Sequence, residues 1–169
     1  EGEVTHRRPQ VLPGGKAVLF TSNSRLSFYE DANLIVQTLP KGERKIVVRG
    51  GYFGRYLSSG HLIYMHNGTL FAVPFDLDRL EVTGPVVPAL DDVSATPASG
   101  ATQLAVSTSG TIVYLARRDS ADVAPVHWMN RDGKTTLLRP TASRWADPRF
   151  SPDGRRLAMA IRDGGQFDI

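Results

Sequence analysis

The stretch Arg149–Ile161, RFSPDGRRLAMAI, decides how this chain is read. A Ser-Pro-Asp-Gly turn runs straight into an apolar segment, and the same arrangement recurs. Its copies are LPGGKAVLF (Leu12–Phe20), LSSGHLIYM (Leu57–Met65), STSGTIVYL (Ser107–Leu115) and SPDGRRLAMAI (Ser151–Ile161). The last glycines of these turns, Gly15, Gly60, Gly110 and Gly154, are spaced by 45, 50 and 44 residues. Four residues before each glycine stand Val11, Tyr56, Val106 and Phe150; three after it stand Val18, Ile63, Val113 and Leu157. Pro152 presets the first corner of a type I turn and Asp153 suits the second. Gly154 can then take the left-handed conformation that returns the chain into a second strand. These glycines are therefore backbone residues, and the serines of the turns shape loops.

A repeat of about 40–50 residues is the period of β-propeller blades. A second hairpin follows in each unit: LIVQTL (Leu34–Leu39) into RKIVV, LFAVPF (Leu70–Phe75) into DLDRLE, and VHWMN (Val126–Asn130) into RDGKTTLL. Two hairpins make four short strands, the content of one blade. The reading is an all-β chain holding a propeller fragment of about three and a half four-stranded blades. The blades run at about 9–50, 51–91 and 92–140, with a half blade at 141–169. Closed propellers have about 4–8 blades. The expectation is thus a piece of a longer propeller, or a ring completed by assembly. Two copies would supply seven blades, so a homodimer can close a ring.

The composition is consistent with this. Gly and Pro, 16 and 11 of 169 residues, are spread along the chain as turn punctuation. No cysteine is present, which excludes disulfides, thiolate metal sites and a cysteine nucleophile. The net charge of +3 is scattered in pairs (Arg7-Arg8, Arg117-Arg118, Arg155-Arg156) and forms no block, so no nucleic-acid partner is expected. No apolar run approaches the roughly 20 residues of a membrane span, so no direct membrane insertion is expected. No helical period is sustained.

The segment Asp147–Ile169, DPRFSPDGRRLAMAIRDGGQFDI, resembles a WD40-like propeller repeat of the TolB type. Pro148, Phe150, Ser151, Pro152, Asp153, Gly154, Leu157 and the closing Asp168-Ile169 carry the likeness; the other units keep only its register. Such repeats occur in periplasmic TolB, in the propellers of prolyl-oligopeptidase-like enzymes, and in bacterial proteins with a eukaryotic-like Ser/Thr kinase domain. THRRPQVLPGGKAVLFT (Thr5–Thr21) and LIYMHNGTLFAVPFD (Leu62–Asp76) are most similar to the third group. That resemblance implies a bacterial, kinase-associated sensor domain with an extracytoplasmic or periplasmic location. No kinase motif stands in the chain itself.

Catalytic constellations are not found. Ser109 and Ser151 lack the first glycine of a Gly-x-Ser-x-Gly elbow and sit in strand-to-strand turns. Gly133-Lys134-Thr135 has the tail of a phosphate loop, but Trp128 stands where its leading glycine belongs. His6, His61, His66 and His127 make no metal-ligand spacing, and Asp76-x-Asp78 does not continue as a calcium loop. Asn67-Gly68-Thr69 is a formal glycosylation sequon better read as a hairpin turn. The expectation is no enzyme, no cofactor and no metal.

In a propeller, the segments entering each innermost strand converge on one rim. Here they hold His6, Arg7, Tyr52, Phe53, Arg55, Gln103, Arg144 and Trp145. Tyr, Trp and Arg are the types enriched at binding hot spots, so these residues form a candidate rim for a protein or peptide partner. The competing reading is packing between blades. Two functions follow: a non-catalytic interaction or sensing module, or the lid of a prolyl-oligopeptidase-like serine hydrolase whose catalytic domain lies elsewhere.

Overall fold

In the computed structural model, residues 2–117, 123–163 and 166–169 are described. Arg118, half of one basic pair, and Gly164-Gly165 of the repeat segment lie outside them. Among the described residues every regular element is a β-strand, and no helix is long and apolar enough to cross a membrane.

The first sheet runs in the order β1 (Thr5–Val11), β2 (Ala17–Asn23), β3 (Asn33–Thr38), β4 (Arg44–Arg49). The second runs β5 (Tyr52–Leu57), β6 (His61–His66), β7 (Thr69–Asp76), β8 (Glu81–Val82), and β9 (Val87–Leu90) pairs the start of β7. A short pair, β10 (Ala95–Thr96) and β11 (Ala101–Thr102), precedes the third sheet. That sheet is β12 (Leu104–Val106), β13 (Ile112–Leu115), β14 (Ala124–Met129), β15 (Thr135–Ser143). The fourth has three strands, β16 (Trp145–Phe150), β17 (Leu157–Asp163) and β18 (Gln166–Asp168). All pairings within the four blade sheets are antiparallel, and apart from the β7–β9 pair all join consecutive strands, which is blade topology.

The turn glycines behave as their spacing predicts. Gly15, Gly60, Gly110 and Gly154 have φ of 71, 80, 84 and 69°, and each donates its N–H three residues back, to Leu12, Leu57, Ser107 and Ser151. The strand after the glycine departs from the constant spacing. Val11 pairs with Val18 and Phe150 with Leu157, but Tyr56 pairs with Leu62 and Val106 with Ile112. The middle two hairpins are one residue shorter, so Leu62 and Ile112, not Ile63 and Val113, stand where Val18 and Leu157 stand. With a side-chain period of two, that one residue decides which face each side chain takes.

The core follows from this register. In the unit formed by the first two sheets, Leu12, Ala17, Leu19, Leu34 and Val36 meet Leu62, Tyr64, Val73 and Phe75 in one buried cluster. A Cβ on Gly54 of β5 would lie 2.8 Å from Leu34 side-chain carbons, so only glycine lets β5 approach so closely. In the unit of the third and fourth sheets, Trp128 meets Phe150 edge-on at 6.0 Å between ring centres. Burial also raises the Tyr64 phenol above its ordinary value.

Leu62→Ala should cost about 2–5 kcal/mol in a urea titration, as a cavity in a closed seam. Gly54→Ala should cost about 1–3 kcal/mol by overpacking against Leu34, whereas a Cβ at Gly60 meets nothing within 4 Å and Gly60→Ala should cost only about 1 kcal/mol, for its left-handed φ.

Candidate functional site

The first strands of three sheets share a defect. Their pairing slips between Arg7 and Gln10, between Tyr52 and Arg55, and between Ala146 and Arg149. Within each slip sits a non-glycine residue with positive φ: Arg8 at 56°, Phe53 at 59° and Asp147 at 49°. Each lies seven residues before its turn glycine. These are β-bulges, which re-aim side chains and leave backbone groups for other partners. In the third sheet the strand breaks at the same place, Gln103, between β11 and β12.

Neighbouring sheets are tied through these bulges. In the first unit Arg55 Nη1 donates to the Arg8 and Gly54 carbonyls, both at 2.8 Å, and its guanidinium lies 4.8 Å from the Phe53 ring centre. The Gln10 amide bonds both the N–H and the carbonyl of Tyr56, at 2.7 and 3.1 Å, as a strand would. In the second unit Gln103 Oε1 accepts the Asp147 N–H at 2.7 Å.

The expected rim residues therefore divide. Tyr52 is fully buried and Phe53 is 4% exposed, so neither is offered to solvent, and both follow the packing reading. Arg55 and Gln103 join sheet to sheet. His6, Arg7 and Arg144 are exposed, and Trp145 is half-buried. Trp145 Nε1 and Thr102 Oγ1 are buried without a hydrogen-bond partner among the described residues. Arg7 stacks 5.4 Å from the Tyr29 ring centre and donates from Nε to its hydroxyl at 2.5 Å. Tyr29 is fully buried, its hydroxyl also 2.8 Å from Thr5 Oγ1. Tyr29 and Gln10 were not among the sequence candidates; they lie outside the glycine register.

A second polar group sits on the first sheet. Glu3 Oε2 is 2.7 Å from His6 Nε2 and 2.5 Å from Arg44 Nη1. Both side chains lie on Phe20, His6 edge-on at 5.1 Å and Arg44 at 5.6 Å. The His6 hydrogen bond, helped by the Arg44 charge, holds the Glu3 carboxyl below its ordinary value of 4.5.

The motifs set aside in the sequence are turns. Asn67 and Gly68, with φ of 48 and 80°, form a two-residue loop between β6 and β7. Gly133 closes the β14–β15 hairpin, donating its N–H to Asn130. Asp76 Oδ1 accepts the N–H groups of Asp78 and Arg79. Ser151 Oγ donates to Asp153, and this bond first, then the Arg155 N–H, lowers the Asp153 pKa. Among the described residues no group of three His, Cys, Asp or Glu side chains is placed to hold a metal.

The blades and their register define a β-propeller fold. No family model matches the chain, and no curated protein matches it. Solved structures do. Puromycin hydrolase is similar with a TM-score of 0.69 and 14% identity over 90% of this chain, which spans 24% of that one. Regucalcin, a calcium-binding protein from Agrobacterium tumefaciens, gives 0.60 and 14% over 92% of this chain and 52% of that one. Kuenenia stuttgartiensis hydrazine synthase gives 0.57 and 14% over 94% of this chain and 44% of that one. The chain spans about a quarter to a half of these proteins, and the likeness is one of fold.

Gln10→Ala should lower stability by about 1–2 kcal/mol, because two Tyr56 backbone groups lose their partner. For Glu3 the folded pKa lies below the unfolded one. Its contribution is therefore full above about pH 4.5 and is lost as pH falls through the lower folded value. Glu3→Gln should flatten the fall of the urea midpoint between about pH 5 and 3.

Proposed function

We propose that this chain belongs to a non-catalytic β-propeller that binds a protein or peptide partner. The carrying observation is how the candidate polar groups are used. Arg55 and Gln103 bond backbone between sheets, while exposed Arg7 is stacked on buried Tyr29. A preorganised arginine on an aromatic ring is what protein interfaces use as an anchor, because little rotamer freedom remains to be lost on binding. The finer reading rests on the resemblance of Asp147–Ile169 to TolB-type repeats and of Thr5–Thr21 to kinase-associated ones. By that reading the propeller is the sensing part of a bacterial protein with a eukaryotic-like Ser/Thr kinase, outside the membrane.

A second reading is the propeller of a hydrolase, favoured by the likeness to puromycin hydrolase. Sequencing the coding region on both sides separates the two. A kinase domain and a membrane helix upstream support the sensor; an α/β-hydrolase domain downstream overturns it. In the full-length protein, Arg144→Ala with Trp145→Ala should weaken partner binding about tenfold in a chain that still folds, the half-buried Trp145 ring also lowering the urea midpoint when it is lost. Unchanged binding by the folded variant would remove that rim.

A further inference from the structure

Arg7 belongs to the side of the first sheet that the second sheet covers. Thr5 and Arg7 of β1 pair with Asn23 and Thr21 of β2. Along β2 these alternate in step with Leu19, which points into the seam with Leu34 and Leu62, so Thr5 and Arg7 take the seam side. His6 takes the other side, with Phe20. Beyond β2 the loop 24–32 folds back over Arg7: Thr5 Oγ1 donates to the Arg25 carbonyl, and buried Tyr29 lies under the Arg7 guanidinium. The segment 97–100 of the same unit closes on this loop. Its Pro97 and Ala98 carbonyls accept the Tyr29 and Phe28 N–H groups at 2.8 and 3.3 Å, and a Cβ on Gly100 would lie 3.1 Å from the Tyr29 ring.

This well-tied loop leaves two large apolar side chains outside, Leu26 at 74% and Phe28 at 64% exposure. Phe28 has a φ of 64°, unfavourable for a residue with a side chain, and is held there by the Ala98 bond and by Asn23 Nδ2 on its own carbonyl. Arg7 and Arg25 form no ion pair among the described residues, whereas Arg44, Lys45 and Arg79 do. Glu30, next to Tyr29 in the chain, is turned instead to the Asn67 N–H.

We propose that Arg7 and the loop 24–32 form a docking site for a partner segment in which an Asp or Glu side chain stands beside an aromatic or aliphatic residue. The charge complementarity is directional: the Tyr29 hydroxyl holds Nε of Arg7, which leaves the Nη edge of the guanidinium to a carboxylate. Leu26 and Phe28 supply apolar area alongside. A strained backbone that keeps a ring in solvent gives the core nothing, and strain of this kind gathers at sites of recognition. Side chains this exposed stand on open surface and not in a cavity, which suits a segment of polypeptide. The site names the partner's chemistry for the reading proposed above and rests on that reading.

The test is selection of a phage-displayed random peptide library on the full chain, with fluorescence anisotropy of the selected peptides. These should share an Asp or Glu next to Phe, Tyr, Trp or Leu, and replacing that acid by its amide should weaken binding at least about tenfold. Arg7→Gln should do the same. Phe28→Gly should also weaken binding about tenfold while leaving the urea midpoint as high or higher, since glycine adopts this φ without strain. A lowered midpoint with binding retained makes Phe28 a structural residue and overturns the proposal. So does a library that yields no peptide, peptides without an acid, or binding that survives Arg7→Gln. Binding only to phosphatidylserine vesicles, lost in Phe28→Gly, overturns it in favour of a lipid surface. Peptides without an acid would leave partner binding in general standing. An α/β-hydrolase domain downstream would overturn the sensor reading and leave the selected peptides unchanged.

Discussion

The left-handed glycine that closes each first hairpin is the constraint on which the blades depend. It lets the chain reverse without splaying the strands, and the number of residues beside it fixes which side chains turn towards the neighbouring sheet. At Gly60 the loop is three residues between Leu57 and His61; at Gly15 it is four between Leu12 and Ala17. That one residue puts Leu62 and Tyr64, not Ile63 and Met65, into the seam with Leu19 and Leu34. Packing then follows: Gly54 lies against Leu34, and the bulge beside it turns Arg55 towards the Arg8 carbonyl.

The bulges are the second device, and they explain why so little of the polar chemistry is left over. A bulge frees backbone N–H and C=O groups that a regular ladder would use. Here Arg55 and Gln103 take up such groups on adjacent sheets, and Gln10 takes up the outer edge groups of Tyr56 in β5. Side chains that look available in the sequence are thereby spent on holding blades together. Two arginines at the surface are set on aromatic rings, Arg7 on Tyr29 and Arg44 on Phe20.

The fold was legible because turn chemistry is local. Pro152-Asp153-Gly154 and its worn copies specify a hairpin wherever they stand, and their spacing specifies the unit. The face of the second strand was not legible in the middle units. HLIYMH and TIVYL are apolar almost throughout, so no alternation marks inside from outside. Within the site, the exposed basic side chains His6, Arg7 and Arg144 could be picked by residue type. Tyr52 and Phe53 could not be told from surface aromatics, because the close approach that buries them depends on Gly54 and on a sheet some twenty residues away. Glu3 meets Arg44, and Arg7 meets Tyr29, only through folding. Pro9 and Pro148, each just after a bulged residue, were the one visible sign of the bulges, since proline is tolerated where the ladder is interrupted.

Cross-strand nuclear Overhauser contacts in the four first hairpins test the register most directly. The structure predicts contacts joining Val11 to Val18, Tyr56 to Leu62, Val106 to Ile112 and Phe150 to Leu157. Contacts joining Tyr56 to Ile63 and Val106 to Val113 would contradict it, because Leu62 and Tyr64 would then turn away from the seam they are said to build.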